Sequence, residues 1–280
     1  MPVNYHQIES RLPEYGKRMK EFETALAQAE QVLWEQFTHL DEDVAALRDK
    51  IEKAEVQLRR LYCAKPVSEP LLTHKAAPLP PAGYTLIAAD GSQIAPNRHR
   101  PLQFGVINVG LIQARLGSGN PPEVSIQSTL LDPEELLSPE GSLIGEDEVA
   151  LYRDFAERRA LLEVALAAQA PVIALTDGLL DIYQQYSAPQ LNFQAEMRTI
   201  HQQLEARGVM SAGYIDKPGA EMLSRMLDLL QTPEMDLVAY DDQKRSLGGI
   251  SDARLLAKLL TIPGERSAVF ETVSKGAAQT

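Results

Sequence analysis

The hydrophobic pattern of the first sixty residues keeps a helical period that the chain beyond them does not continue, and that change limits what it can fold into. Met19, Phe22, Leu26, Ala29, Leu33, Phe37, Leu40, Val44, Leu47, Ile51, Ala54, Leu58 and Leu61 recur in three- and four-residue steps, with charged residues and glutamines between them. That is the spacing of one helical face. It predicts a long amphipathic helix or a helical hairpin within residues 1–65, a coiled-coil-like segment. Asp41 is placed to cap a second helix, and the register shifts between Leu33 and Phe37. Such a stripe has to be covered, and packing on the body or on a second copy is expected rather than ligand binding. Residues 66–83 carry Pro66, Pro70, Pro78, Pro80 and Pro81, which cannot continue a helix and read as an extended linker.

Beyond the linker, residues 84–280 read as one domain built on strands. The run Tyr84 to Ala89, the run Phe104 to Ala114 and the run Val124 to Thr129 are separated by turns around Asn97 to Pro101 and Gly117 to Pro122, which predicts an antiparallel meander. Asp147 to Gln169 places Val149, Tyr152, Phe155, Ala156, Leu161, Leu162, Ala165 and Leu166 on one broad helical face and leads through Pro171 into a buried strand, Val172 to Thr176. A helix over 192–206, a strand Val209 to Ile215 and a helix Ala220 to Leu230 extend the pattern. The order β-β-β-α-β is the core of a ribonuclease H-like α/β fold, a mixed sheet flanked by helices.

The chemistry sits at two strand ends. Asp90 closes the first run and is followed by Gly91; Asp177 closes the fourth and is followed by Gly178. In that fold the two strands are parallel neighbours, and ligands sit at the carboxyl ends of such strands. The helix between them can add a third carboxylate, Glu157 or Glu163, each four residues after an arginine (Arg153, Arg159). Clustered carboxylates raise one another's pKa values, a cost that bound Mg²⁺ or Mn²⁺ removes. The set points to metal-assisted phosphodiester hydrolysis, in which one ion activates water and another stabilises the leaving oxygen. Taken singly, Asp-Gly is an ordinary turn pair and a helix glutamate is ordinarily solvated.

Composition excludes other classes. A net charge of −12 and a pI near 5.0 argue against a protein that coats nucleic acid nonspecifically, while leaving room for a local basic groove. One cysteine, Cys63, provides neither a disulfide framework nor a thiolate zinc site, so a reducing cytoplasm is expected. His6, His39, His74, His99 and His201 show no ligand spacing, and no P-loop is present. The acidic run from Glu134 to Glu148 reads as a solvated loop and helix start. No apolar stretch approaches a membrane span, and Met1 to Gln7 lacks the pattern of a signal peptide.

Five blocks in order resemble the NurA nuclease domain family: Ala88-Ala-Asp-Gly-Ser92, Ala174-Leu-Thr-Asp-Gly-Leu-Leu180, Gly213-Tyr-Ile-Asp-Lys-Pro218, Leu247-Gly-Gly-Ile-Ser-Asp252 and Pro263-Gly-Glu-Arg-Ser-Ala-Val-Phe270. The resemblance implies a Mn²⁺-dependent (or Mg²⁺-dependent) nuclease with 5'-3' exonuclease and endonuclease activity on DNA ends. It also implies a role in end resection and DNA repair, a homodimer, and work with a HerA-type hexameric ATPase. Asp90 and Asp177 match the family's metal-binding aspartates, with the helix glutamate open between Glu163 and Glu157. Lys217 could reach a DNA phosphate and reads equally as a surface lysine. The family's active site is completed by a later tyrosine and histidine, and the sequence ends at Thr280 without a match to them. A second reading therefore stands beside the nuclease: a noncatalytic or partner-completed subunit that assembles through the helical region from Tyr15 to Tyr62.

Overall fold

The computed structural model describes residues 5–40, 43–138, 140–180, 188–233, 237, 240 and 248–275. The helical stripe folds as α1 (Tyr5–Glu9), α2 (Leu12–His39) and α3 (Val44–Gln57). Pro13 sits in the first turn of α2, where a missing N–H costs nothing because that donor has no partner within the helix. Asp41, the expected cap, lies outside the described residues; α3 begins at Val44, where the stripe resumes. Leu33 and Phe37 of α2 and Leu47, Ile51 and Ala54 of α3 are buried, whereas Met19 and Phe22 are exposed. The stripe therefore belongs to two helices, and only its later part is covered.

The residues read as a helix end and a linker contain strands. Leu61, the last member of the helical stripe, opens β1 (Leu61–Pro66), and β2 is the pair His74–Lys75. The sheet that follows matches the predicted order. It comprises β3 (Tyr84–Ile94), β4 (Val106–Leu116), β5 (Glu123–Leu130), α4 (Glu146–Ala167), β6 (Val172–Asp177), α5 (Ala188–Ala206) and β7 (Met210–Tyr214). The sheet order is β5-β4-β3-β6-β7, with β3, β4 and β5 antiparallel and β3, β6 and β7 parallel. The chain ends with α6 (Met222–Gln231), α7 (Asp252–Leu256), β8 (Arg266–Ser267) and β9 (Phe270–Lys275).

Two compact units result. One is continuous, Leu79–Asp216, and holds the five-stranded sheet; the other joins Met1–Pro78 to Lys217–Thr280. In the sheet unit α4 and α5 cover one face, burying Ile87, Ala89, Val109, Ala174, Phe155, Leu161 and Leu204 together. The sheet is the mixed α/β architecture of the ribonuclease H-like fold. In the other unit β1 pairs antiparallel with β9, from Leu61↔Lys275 to Pro66↔Phe270, and β2 with β8. Its core gathers Leu33, Phe37, Leu47, Ile51, Leu61, Met226, Leu227, Ile250 and Leu255. The helix expected to extend the sheet, α6, belongs to this second core. Its strongly one-sided apolar face, Met222, Leu223, Met226, Leu227 and Leu229, packs there against α2, α3 and β1.

Phe37→Ala should lower the unfolding free energy by about 3–5 kcal/mol through lost burial and a residual cavity. Phe22→Ala, at a side chain 60% exposed, should change it by about 0.5 kcal/mol or less. Urea titration of the two variants measures both, and equal losses would mean that the exposed stripe is covered in solution.

Candidate active site

β3 pairs with β4 over its whole length, but with β6 only from Thr85↔Val172 to Ala89↔Thr176. Asp90 is the next residue of β3, and Asp177, which follows Thr176, is the last residue of β6. The two aspartates stand at one level of neighbouring parallel strands, both exposed, at the carboxyl end where open α/β sheets bind ligands. Asp90 does not close its strand, as its sequence suggested. β3 runs on to Ile94 beside β4, and what ends at Asp90 is the pairing with β6, so the sheet forks there.

Strand alternation divides the acids between two faces. Thr85, Ile87 and Ala89 are buried on the side of α4, and Gly91 has the same parity, so Asp90 belongs to the opposite face. Asp177 shares that face because its neighbour Thr176 pairs with buried Ala89. On the α4 side stands Glu157, only 7% exposed. A Cβ on Gly91 would lie 2.5 Å from Glu157 Oε1 and 2.7 Å from Arg153 Cγ. The missing side chain of Gly91 is what lets the helix carboxyl stand over the strand. Arg153 holds Glu157 from one helical turn earlier, its Nε 3.2 Å from Oε1, while its Nη2 lies 2.7 Å from Asp154 Oδ1.

Burial pushes the Glu157 carboxyl up to about 7; the negative charges of Asp154 and Asp90 add to the rise, and Arg153 and Arg158 oppose it. Glu163, the other glutamate read from the sequence, is exposed and lies six residues further along α4, about 9 Å on. Arg159, four residues before it, instead meets Glu196 of α5 at 3.2 Å and lies over the Phe155 ring. The structure therefore brings Glu157 close to Asp90 and leaves Glu163 in solvent. Lys217 is exposed in the other compact unit.

The turn after Asp177 is held by groups that the sequence pattern did not single out. Gly178 has φ +80°, a region that favours glycine, and its N–H donates to the Tyr214 carbonyl at 2.8 Å. Gly213 lets β7 approach: a Cβ there would lie 2.4 Å from the Gly178 carbonyl oxygen. Arg158, 7% exposed, donates through Nη2 to the Leu179 carbonyl at 3.0 Å. Nothing in the run Glu157-Arg-Arg159 distinguishes this buried arginine from its exposed neighbour except helical phase.

Among the described residues no three His, Cys, Asp or Glu side chains are gathered closely enough to hold a metal ion, in keeping with the division of the acids between two faces. The donor chemistry nevertheless fits a hard divalent cation. Asp90, Asp177 and Glu157 present carboxylate oxygens only, on rigid elements, and a cation nearby would favour the charged form that burial disfavours in Glu157.

Two outcomes follow from Glu157. Its folded-state pKa of about 7 lies above the ordinary 4.5, so its contribution to stability is full below about pH 4.5 and is lost as pH rises through 7. In EDTA, Glu157→Gln should be the more stable form at pH 8, by up to about 3 kcal/mol, with the gap closing as pH falls toward 4.5; thermal melts across this range check it. Gly91→Ala should cost only about 1 kcal/mol of stability, because flexible side chains give way. It should nevertheless abolish most activity by displacing Glu157, and a fully active Gly91→Ala would remove Glu157 from the site.

The profile of the NurA domain family matches residues 84–278. Among solved structures, the NurA nuclease from Sulfolobus solfataricus is 14% identical with a TM-score of 0.34, covering 92% of this chain and 67% of that one. LC9-RNase H1, a type 1 RNase H with the type 2 active-site motif, is 13% identical with a TM-score of 0.28, covering 61% of this chain and 79% of that one. No curated protein matches the chain. With the profile spanning more than half its length, and with the sheet and its paired aspartates falling inside the matched region, the chain belongs to the NurA domain family.

Proposed function

We propose that the protein is a metal-dependent deoxyribonuclease that hydrolyses phosphodiester bonds at DNA ends. The observation that carries this reading is the pair Asp90 and Asp177, level with each other where β3 and β6 part, in a chain of the NurA family. Asp90, Asp177 and Glu157 would hold Mn²⁺ or Mg²⁺. When bound, such an ion supplies Lewis-acid polarisation of the phosphoryl group and charge for the leaving oxygen. Asp90 and Asp177 supply exposed hard oxygens at the fork. Glu157, held over Gly91 by Arg153, supplies a carboxyl poised near neutrality. With a net charge of −12, a polyanion needs local positive charge to approach; cations at these carboxylates would provide it, and Lys217 would add a point charge to a phosphate.

Family membership supports the finer expectations: 5'-3' exonuclease and endonuclease activity in end resection and repair, a homodimer, and a HerA-type hexameric ATPase as partner. No helix among the described residues is long and apolar enough to cross a membrane. One observation favours the second reading, a noncatalytic or partner-completed subunit: the described residues do not gather three metal ligands.

Degradation of end-labelled single- and double-stranded DNA in Mn²⁺, Mg²⁺ or EDTA separates the two. The expected result is cleavage that needs the ion and falls at least about 100-fold in Asp90→Ala and Asp177→Ala. A folded protein that cuts nothing, alone or with the ATPase present, would sink the nuclease.

A further inference from the structure

We infer that Arg158 is a positioning residue that sets the Asp177 strand end against Glu157. The inference rests on the nuclease reading, because it assigns a role within the same site. An arginine that is 7% exposed loses most of its hydration, and a well-packed apolar side chain at such a place is often as stable or more so. Its presence there is accounted for by what it holds. Arg158 is next to Glu157 on α4, and its Nη2 donates to the Leu179 carbonyl at 3.0 Å, two residues beyond Asp177. Among the described residues β7 also restrains that turn, through the Gly178 N–H on the Tyr214 carbonyl and the Gly178 carbonyl lying over Gly213. The Arg158 bond adds a direct tie to α4, joining the helix that carries Glu157 to the strand end that carries Asp177. The guanidinium touches no reacting atom in this account. It acts through the Leu179 backbone.

The test is Arg158→Met and Arg158→Lys in the full chain, with Mn²⁺ binding by titration calorimetry, melting temperature, and kcat and KM on DNA ends. Arg158→Met should melt at or above the wild-type temperature, bind Mn²⁺ at least about tenfold more weakly and lose at least about tenfold in kcat at unchanged KM. Arg158→Lys, which keeps one donor and the charge, should recover part of both. Mn²⁺ binding and kcat equal to wild type in Arg158→Met would overturn the inference. So would losses in both variants that track loss of folded protein alone. If the wild type bound no Mn²⁺ and cut no DNA, the nuclease reading would fall and this inference with it; normal wild-type binding beside an indifferent Arg158→Met would remove the positioning role only.

Discussion

The Glu157 carboxyl stands over β3 where the strand has no side chain, and the close approach of α4 to β3 at Gly91 is the contact on which the candidate site depends. With any other residue there, the Glu157 carboxyl and the Arg153 stem would meet a Cβ at 2.5–2.7 Å. Either the helix would lift, loosening Phe155 and Leu161 from Ile87 and Ala89, or the two side chains would swing aside. The glycine after Asp90 is therefore more than the partner in a turn. β3 does not turn there; it runs on to Ile94 along β4. What the residue pair does is split the strand's neighbours: β4 continues, β6 stops, and an acid is left on each side of the fork.

The electrostatics follow from that geometry. Glu157 is buried, faces the charges of Asp90 and Asp154, and is offset by Arg153 and Arg158 from its own helix. Burial wins, which keeps its carboxyl near neutrality instead of in the ordinary acid range. A cation bound beside these carboxyls would favour their charged form, because an ion reverses the sign of the field that they feel. The two arginines differ in what they do. Arg153 is partly exposed and pairs side chain to side chain, whereas Arg158 is buried and ties backbone to helix.

The strands and helices of the sheet unit were legible because each carries a strong local pattern. Tyr84 to Ala89 and Val172 to Thr176 are short apolar runs bounded by turn residues, and the α4 stripe is long. Both aspartates stand out in the sequence for the same reason, since each closes an apolar run. The choice between Glu157 and Glu163 was not legible. Both follow arginines at four residues, and the difference lies in a rotation about α4 and in a glycine on another strand. Arg158 was invisible because an arginine on an amphipathic helix is ordinarily solvated. The second unit was missed for a different reason. β1 and β9 are six-residue strands whose pairing, Leu61↔Lys275, spans most of the chain, and no local pattern announces a partner that far away. The prolines at 66, 70 and 78 suggested a linker where Pro66 in fact ends a strand.

That long-range pairing also orders how such a chain can assemble. The sheet unit is continuous from Leu79 to Asp216; β3, β4 and β5 follow one another directly, α4 leads from β5 back to β6 beside β3, and α5 joins β6 to its neighbour β7. Its contacts can form without waiting for either terminus. The other unit needs Leu61 to meet Lys275 and needs α6 to join α2 and α3, a closure over an unfolded segment of about 200 residues if nothing intervenes. Folding the sheet unit first replaces most of that segment with a compact body, Leu79–Asp216. The residues of the candidate site, Asp90, Gly91, Arg153, Glu157, Arg158 and Asp177, all lie within that continuous unit. The split unit contributes none of these residues.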